Sequence, residues 1–164
     1  MLRLLIVLFI GVFSQIAWAA DLDCTMQPAP IDIGRIAHRP EIKSYTVDAN
    51  KLAVTALLKN GRALRLIHMG CAHSGAEAAL WFNSEVPASD VNTWLKEAIA
   101  LTKIAFSPGI SKDIERSLKT GNYRIEKTDN RLVITASPTE YFTYTILFAP
   151  LEHGVMLSVI YSFG

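Results

Sequence analysis

The order of local patterns predicts an α+β domain built on an antiparallel sheet. Three observations carry that expectation: apolar and polar positions alternate through residues 51–83, two punctuated helical stripes occupy 89–121, and a longer alternation runs from 123 to 163. Blocks of strands and helices, rather than strict alternation of the two, favour antiparallel pairing with helices on one face. The expected layout is three strands, then two helices packed as a pair on one face, then a four-stranded C-terminal meander.

The first strand covers Lys51 to Leu58, with Leu52, Val54, Ala56 and Leu58 on one side. Asn60-Gly61 follows, a hairpin signal in which both residues are expected at positive φ. Arg62 to Met69 returns as its partner. Gly70 and Gly75 bracket a turn or bulge around Cys71 and His73. Ala76 to Asn83 makes the third strand.

Ser89 is expected to cap the first helix, with Asp90 in its first turn. Val91, Trp94, Leu95, Ala98, Leu101 and Ala105 form its apolar stripe, and Ser107-Pro108-Gly109 ends it. Ser111 is expected to cap the second helix, and Gly121 to close it in the left-handed region. The four last strands run over Tyr123 to Thr128, Arg131 to Ser137, Tyr141 to Ala149 and Val155 to Phe163. Phe142, Tyr144, Ile146 and Phe148 share one face of the third. Trp81 and Trp94 both fall in apolar stripes and read as core.

The chain has 164 residues, of which 51% are hydrophobic. That excludes a disordered chain, and one domain accounts for it. Part of the apolarity belongs to an export leader. Arg3 supplies a short positive region, Leu4 to Phe13 has no polar side chain, and Ala17-Trp18-Ala19 matches a signal-peptidase site. The expectation is a cleaved leader over 1–19 and a single exported domain over 20–164, periplasmic or secreted and soluble. Retention of the leader as an anchor is the rival. No other apolar run reaches the length of a membrane span.

Net charge is +1, and removal of Arg3 leaves the rest neutral. With no basic run, nucleic acid and anionic lipid are not indicated as partners. The local cluster Arg35, His38 and Arg39 reads as a solvated loop. Two cysteines, Cys24 and Cys71, allow one pairing. In an oxidising compartment a disulfide is expected. It would close a loop of about 48 residues and contribute roughly 4 kcal/mol on the chain-entropy estimate.

The densest polar cluster is His68, Cys71, His73, Ser74 and Glu77. One reading is a metal-binding protein or enzyme using His68, His73 and Glu77. The spacing argues against it, because residues five apart on a strand point to opposite faces. A Cys71 nucleophile with a His73 base requires a free thiol. No phosphate loop, dinucleotide fingerprint or metalloprotease motif occurs, so no cofactor is implied. Paired carboxylates for glycoside chemistry are not identifiable by spacing alone.

The other candidate surface is the tyrosine-rich strand. Tyr141 and Tyr144, with Arg124 on the neighbouring hairpin, are expected to form an amphipathic contact patch. The reading preferred on these grounds is a protein-binding module, an inhibitor or immunity protein that occludes a toxin or cell-wall hydrolase. Its contact residues would be His68, His73, Glu77, Tyr141, Tyr144 and Arg124. The partner would be another envelope or secreted protein, and an edge strand leaves homo-oligomerisation open. The alternative to both is an envelope accessory protein without a discrete site.

Overall fold

The computed structural model describes residues 27–70, 74–128 and 131–164. The expected leader over 1–19, Cys24, Cys71, His73 and the Asp129-Asn130 turn lie outside the described residues. The elements are α1 (Ile33–Ala37), β1 (Ile42–Val47), β2 (Ala53–Leu58), β3 (Ala63–Met69), β4 (Ser74–Phe82), α2 (Val91–Ala105), α3 (Pro108–Thr120), β5 (Arg124–Thr128), β6 (Arg131–Thr139), β7 (Phe142–Leu151) and β8 (Gly154–Phe163).

The α+β class and the antiparallel sheet stand, but the layout differs from the expected three plus four. All eight strands form one sheet in the order β1-β2-β3-β4-β8-β7-β6-β5, and every pairing is antiparallel. Each half is a four-stranded meander. The last strand of one half, β4, pairs with the last strand of the other, β8, with Ala78 opposite Val159.

The unforeseen strand is β1, the edge beside β2. Its burial is low on both sides, and its register shifts between Ile42 and Ser44. A solvated, bulged edge carries little periodicity, so alternation does not betray it. The unforeseen helix, α1, has only five residues. Asp32 caps it by accepting a hydrogen bond from the Arg35 N–H.

Three local corrections have physical causes. The β2–β3 turn needs positive φ only at Gly61, and the Asn60 side chain instead accepts from the Arg62 N–H at 3.2 Å. Gly61 N–H donates to Leu58 O, and Leu58 N–H to Arg62 O, which makes a three-residue turn with a left-handed glycine. Asp90, not Ser89, caps α2, because its carboxylate accepts from the Thr93 N–H and hydroxyl. Ser107, not Ser111, caps α3, with Pro108 in the first helical position. The triplet expected only to stop one helix therefore also starts the next. Ser111 is buried between the two helices, its Oγ 3.2 Å from Thr102 Oγ1. Gly121 closes α3 at φ 72°, as expected.

Helix α2 packs on β4 and β8, and α3 against β6. Under them lies the core. Val54, Leu66, Ala78, Val159, Ile146 and Ile134 stand opposite one another across six strands, and all are buried. Trp94 descends from α2 onto this face. It stacks on Phe148 at 3.9 Å between centroids and donates its indole N–H to Pro87 O at 2.9 Å. The other face has no helix among the described residues. Trp81 sits there, half-buried, rather than in the core.

Candidate functional site

The sheet has two ends, and the chemistry gathers at one of them. Ser74, Phe163, Phe142 and Thr139 form the terminal row at that end. The β3–β4 and β6–β7 connections leave the sheet there. Between them lies the C-terminal end of β8, where Gly164 N–H donates to Tyr141 O at 3.2 Å. Tyr141 is 65% exposed and Phe163 39%. Toward the opposite end the exposed large apolar residues are Leu151, the last residue of β7, with Leu57 on β2 and Tyr45 on the edge strand β1.

The residues expected to act together are divided by the sheet. His68 is opposite Ala76, whereas Glu77 is opposite Ile67, so His68 and Glu77 project from opposite faces. They cannot share a metal ion, and among the described residues no cluster of three metal-ligating side chains exists. On the helix side, His68 Nδ1 lies 2.7 Å from Ala29 O. A carbonyl only accepts, so the proton is assigned to Nδ1. On the open face, Glu77 accepts a hydrogen bond from the buried Ser158 hydroxyl at 2.7 Å. Arg124 is exposed on the edge hairpin and meets Glu126 at 3.2 Å.

Tyr144 leaves the expected contact patch. It is 1% exposed, in the core row with Phe142, Ile146 and Phe148. Its hydroxyl is buried and makes no hydrogen bond of ordinary geometry. Burial pushes this phenol up to about 12, against a smaller opposing pull from the Ser117 hydroxyl. Tyr141, three residues earlier, escapes burial because it occupies the turn rather than the strand.

The side chain missed by sequence reasoning is Arg35. Helix α1 carries it against the end of α2, where its Nη2 donates to the carbonyl of the last helical residue, Ala105, at 2.6 Å. Beside it a cavity of about 330 Å³ is lined by Pro30, Asp32, Arg35, His68, Phe106, Ser107, Pro108, Ile110 and Tyr161. Phe106 meets Tyr161 edge-on at 4.8 Å. Burial, and then Arg39, pull the Arg35 guanidinium down from its ordinary value, while Asp32 and Tyr161 act the other way. Burial also raises the Tyr161 phenol, against the attraction of Arg35. The available signal was the spacing of Arg35 and Arg39 one helical turn apart after a capping Asp32.

A second cavity, of about 400 Å³, lies on the other side of Ile110, between α3 and the β6–β7 turn. Ile110 borders both. No helix among the described residues is long and apolar enough to cross a membrane. Comparison of the chain with family models, curated proteins and solved structures finds no match.

Proposed function

We propose that the protein is an exported binding module that docks another envelope or secreted protein against the end of the sheet bearing Tyr141 and Phe163. The observation that carries this reading is the convergence there of the ends of β3 and β4, the β6–β7 turn and the end of β8, with two exposed aromatic side chains. Aromatic side chains bring large contact area at low entropic cost, which is why they anchor interfaces. Occlusion of a partner's cleft, as an inhibitor or immunity protein would do, fits the exposed β6–β7 turn better than a flat sheet face. The contact set is then Tyr141 and Phe163, without Tyr144.

Export and the disulfide belong to the same proposal. What supports the bridge is the meeting of the described neighbours of both cysteines. His68 touches Ala29, and Cys71 lies three residues after His68 while Cys24 lies five before Ala29. At about 3.3 Å per extended residue, both segments have reach to spare. The intact mass of the protein exported by its producing cell checks both points: it should begin at Ala20 and lack two hydrogens relative to the reduced chain.

The docking test places a photo-reactive residue at position 141, or at position 151 as the control at the opposite end. A discrete protein adduct from 141 alone is expected, and Tyr141→Asp should weaken binding of that partner at least about tenfold. Adducts from 151 but not 141, or unchanged affinity of the Tyr141→Asp variant, overturn the proposal.

A further inference from the structure

The cleft beside Arg35 has a composition that a docking end does not require. One wall is apolar, made by Phe106, Pro108, Ile110 and the ring of Tyr161. The other carries the Arg35 guanidinium and the His68 imidazole. Arg35 is tied down by its bond to Ala105 O, yet its Nε is buried and has no hydrogen-bond partner among the described residues. A buried donor without a partner is costly, and a guanidinium is the side chain best shaped for an oxyanion.

The surrounding charge agrees on balance. Arg39 adds a second positive charge near Arg35. Helix α3 begins at the cleft with Ser107 as its cap, so the positive end of its dipole lies there, while the carbonyl end of α2 at Ala105 is met by one Arg35 nitrogen. Asp32 opposes this, but its Oδ1 is engaged by the Arg35 backbone N–H at 3.2 Å and the residue is exposed at the rim. The volume, about 330 Å³, suits a small molecule and falls at the low end for such sites.

The geometry points to a binding site for a small organic acid, its carboxylate on Arg35 and its apolar body between Phe106, Ile110 and Tyr161. No covalent step is involved. A bare inorganic anion would leave the apolar wall unused, and a neutral molecule would leave the guanidinium uncompensated.

The test titrates the full exported protein with 4-phenylbutyrate, 4-phenylbutyramide and inorganic phosphate, read by calorimetry and by amide shifts. The acid should bind, the amide at least about tenfold more weakly, and millimolar phosphate should not displace the acid. Arg35→Gln should lose at least about tenfold in affinity for the acid, and Arg35→Lys less. Because Arg35 also contacts Ala105, a second variant keeps it in place: Ile110→Trp should fill the cleft and abolish binding while the melting temperature holds. Arg116→Gln, at the neighbouring cavity, should change nothing. Equal binding of acid and amide, displacement by phosphate, or full affinity in both the Arg35→Gln and Ile110→Trp variants overturns the inference.

Discussion

The two faces of the sheet have similar alternating sequences but opposite fates. On the covered face, one row of six opposed residues is entirely aliphatic and entirely buried under α2 and α3. On the open face, the adjacent row reads Thr55, Arg65, Ala79, Ser158, Leu147 and Val133. Polar and apolar residues mix there, and of the six only Ala79 and Ser158, on the two central strands, are buried. The difference teaches that complete burial of a row follows the helices, whereas in the open-face row only residues of the two central strands are buried. Two tryptophans make the point: Trp94 reaches the covered face and is sealed, while Trp81 lies on the open face and stays half-exposed.

The largest expected effect tests that contrast directly. Trp94→Ala removes a stacked ring and an indole hydrogen bond from the core, and should destabilise by about 3–5 kcal/mol in denaturant titration. Trp81→Ala should cost less than about half as much. Equal losses would mean that the open face is as enclosed as the covered one.

Alkaline titration sharpens the comparison from the covered side. The Tyr144 phenol is raised to about 12 in the folded protein, whereas an unfolded tyrosine titrates near 10. The unfolded state therefore loses its proton first as pH rises. Stability should be fully present below pH ~10 and fall by about 3 kcal/mol between pH ~10 and ~12. Tyr161 is raised in the same direction and adds to the fall. Tyr144→Phe removes the buried, unbonded hydroxyl. It should leave neutral-pH stability equal or higher, and flatten the alkaline loss in urea midpoints measured across that range.

Among the described residues, the shortest side-chain hydrogen bond of the open face joins Glu77 and Ser158. A double-mutant cycle of Glu77→Ala and Ser158→Ala should give a coupling of about 1 kcal/mol. Zero coupling would make that face a passive solvated surface. The smallest effect belongs to the rim. Arg62 pairs with Glu97 and lies 4.2 Å from the Phe82 ring centroid. Arg62→Ala should cost no more than about 1 kcal/mol, and high salt should reduce that cost.

Much of the fold was legible because it is local. Gly121 at the end of α3, the Trp94–Ala105 stripe and the period of two in β6, β7 and β8 all appear as expected. The misses were also local in cause. Ser89 and Ser111 had the right chemistry for caps, but Asp90 and Ser107 were equally suitable and one or four residues away. The edge strand β1 faces solvent and so carries no pattern. The candidate site was far less legible. His68 and Glu77 are near in sequence and on opposite faces of the sheet. Arg35, His68 and Tyr161 are far apart in sequence and line one cleft.

By itself the sequence determined the types of all elements but α1 and β1, most of their limits and the strand face destined for the core. Those depend on backbone preference and on side-chain period, which act over a few residues. Only the tertiary structure decided that β4 pairs with β8, that Tyr144 is sealed while Tyr141 protrudes, and that Arg35 meets Tyr161. Strand order and helix placement bring together residues more than a hundred positions apart, and no local period encodes which of them will meet.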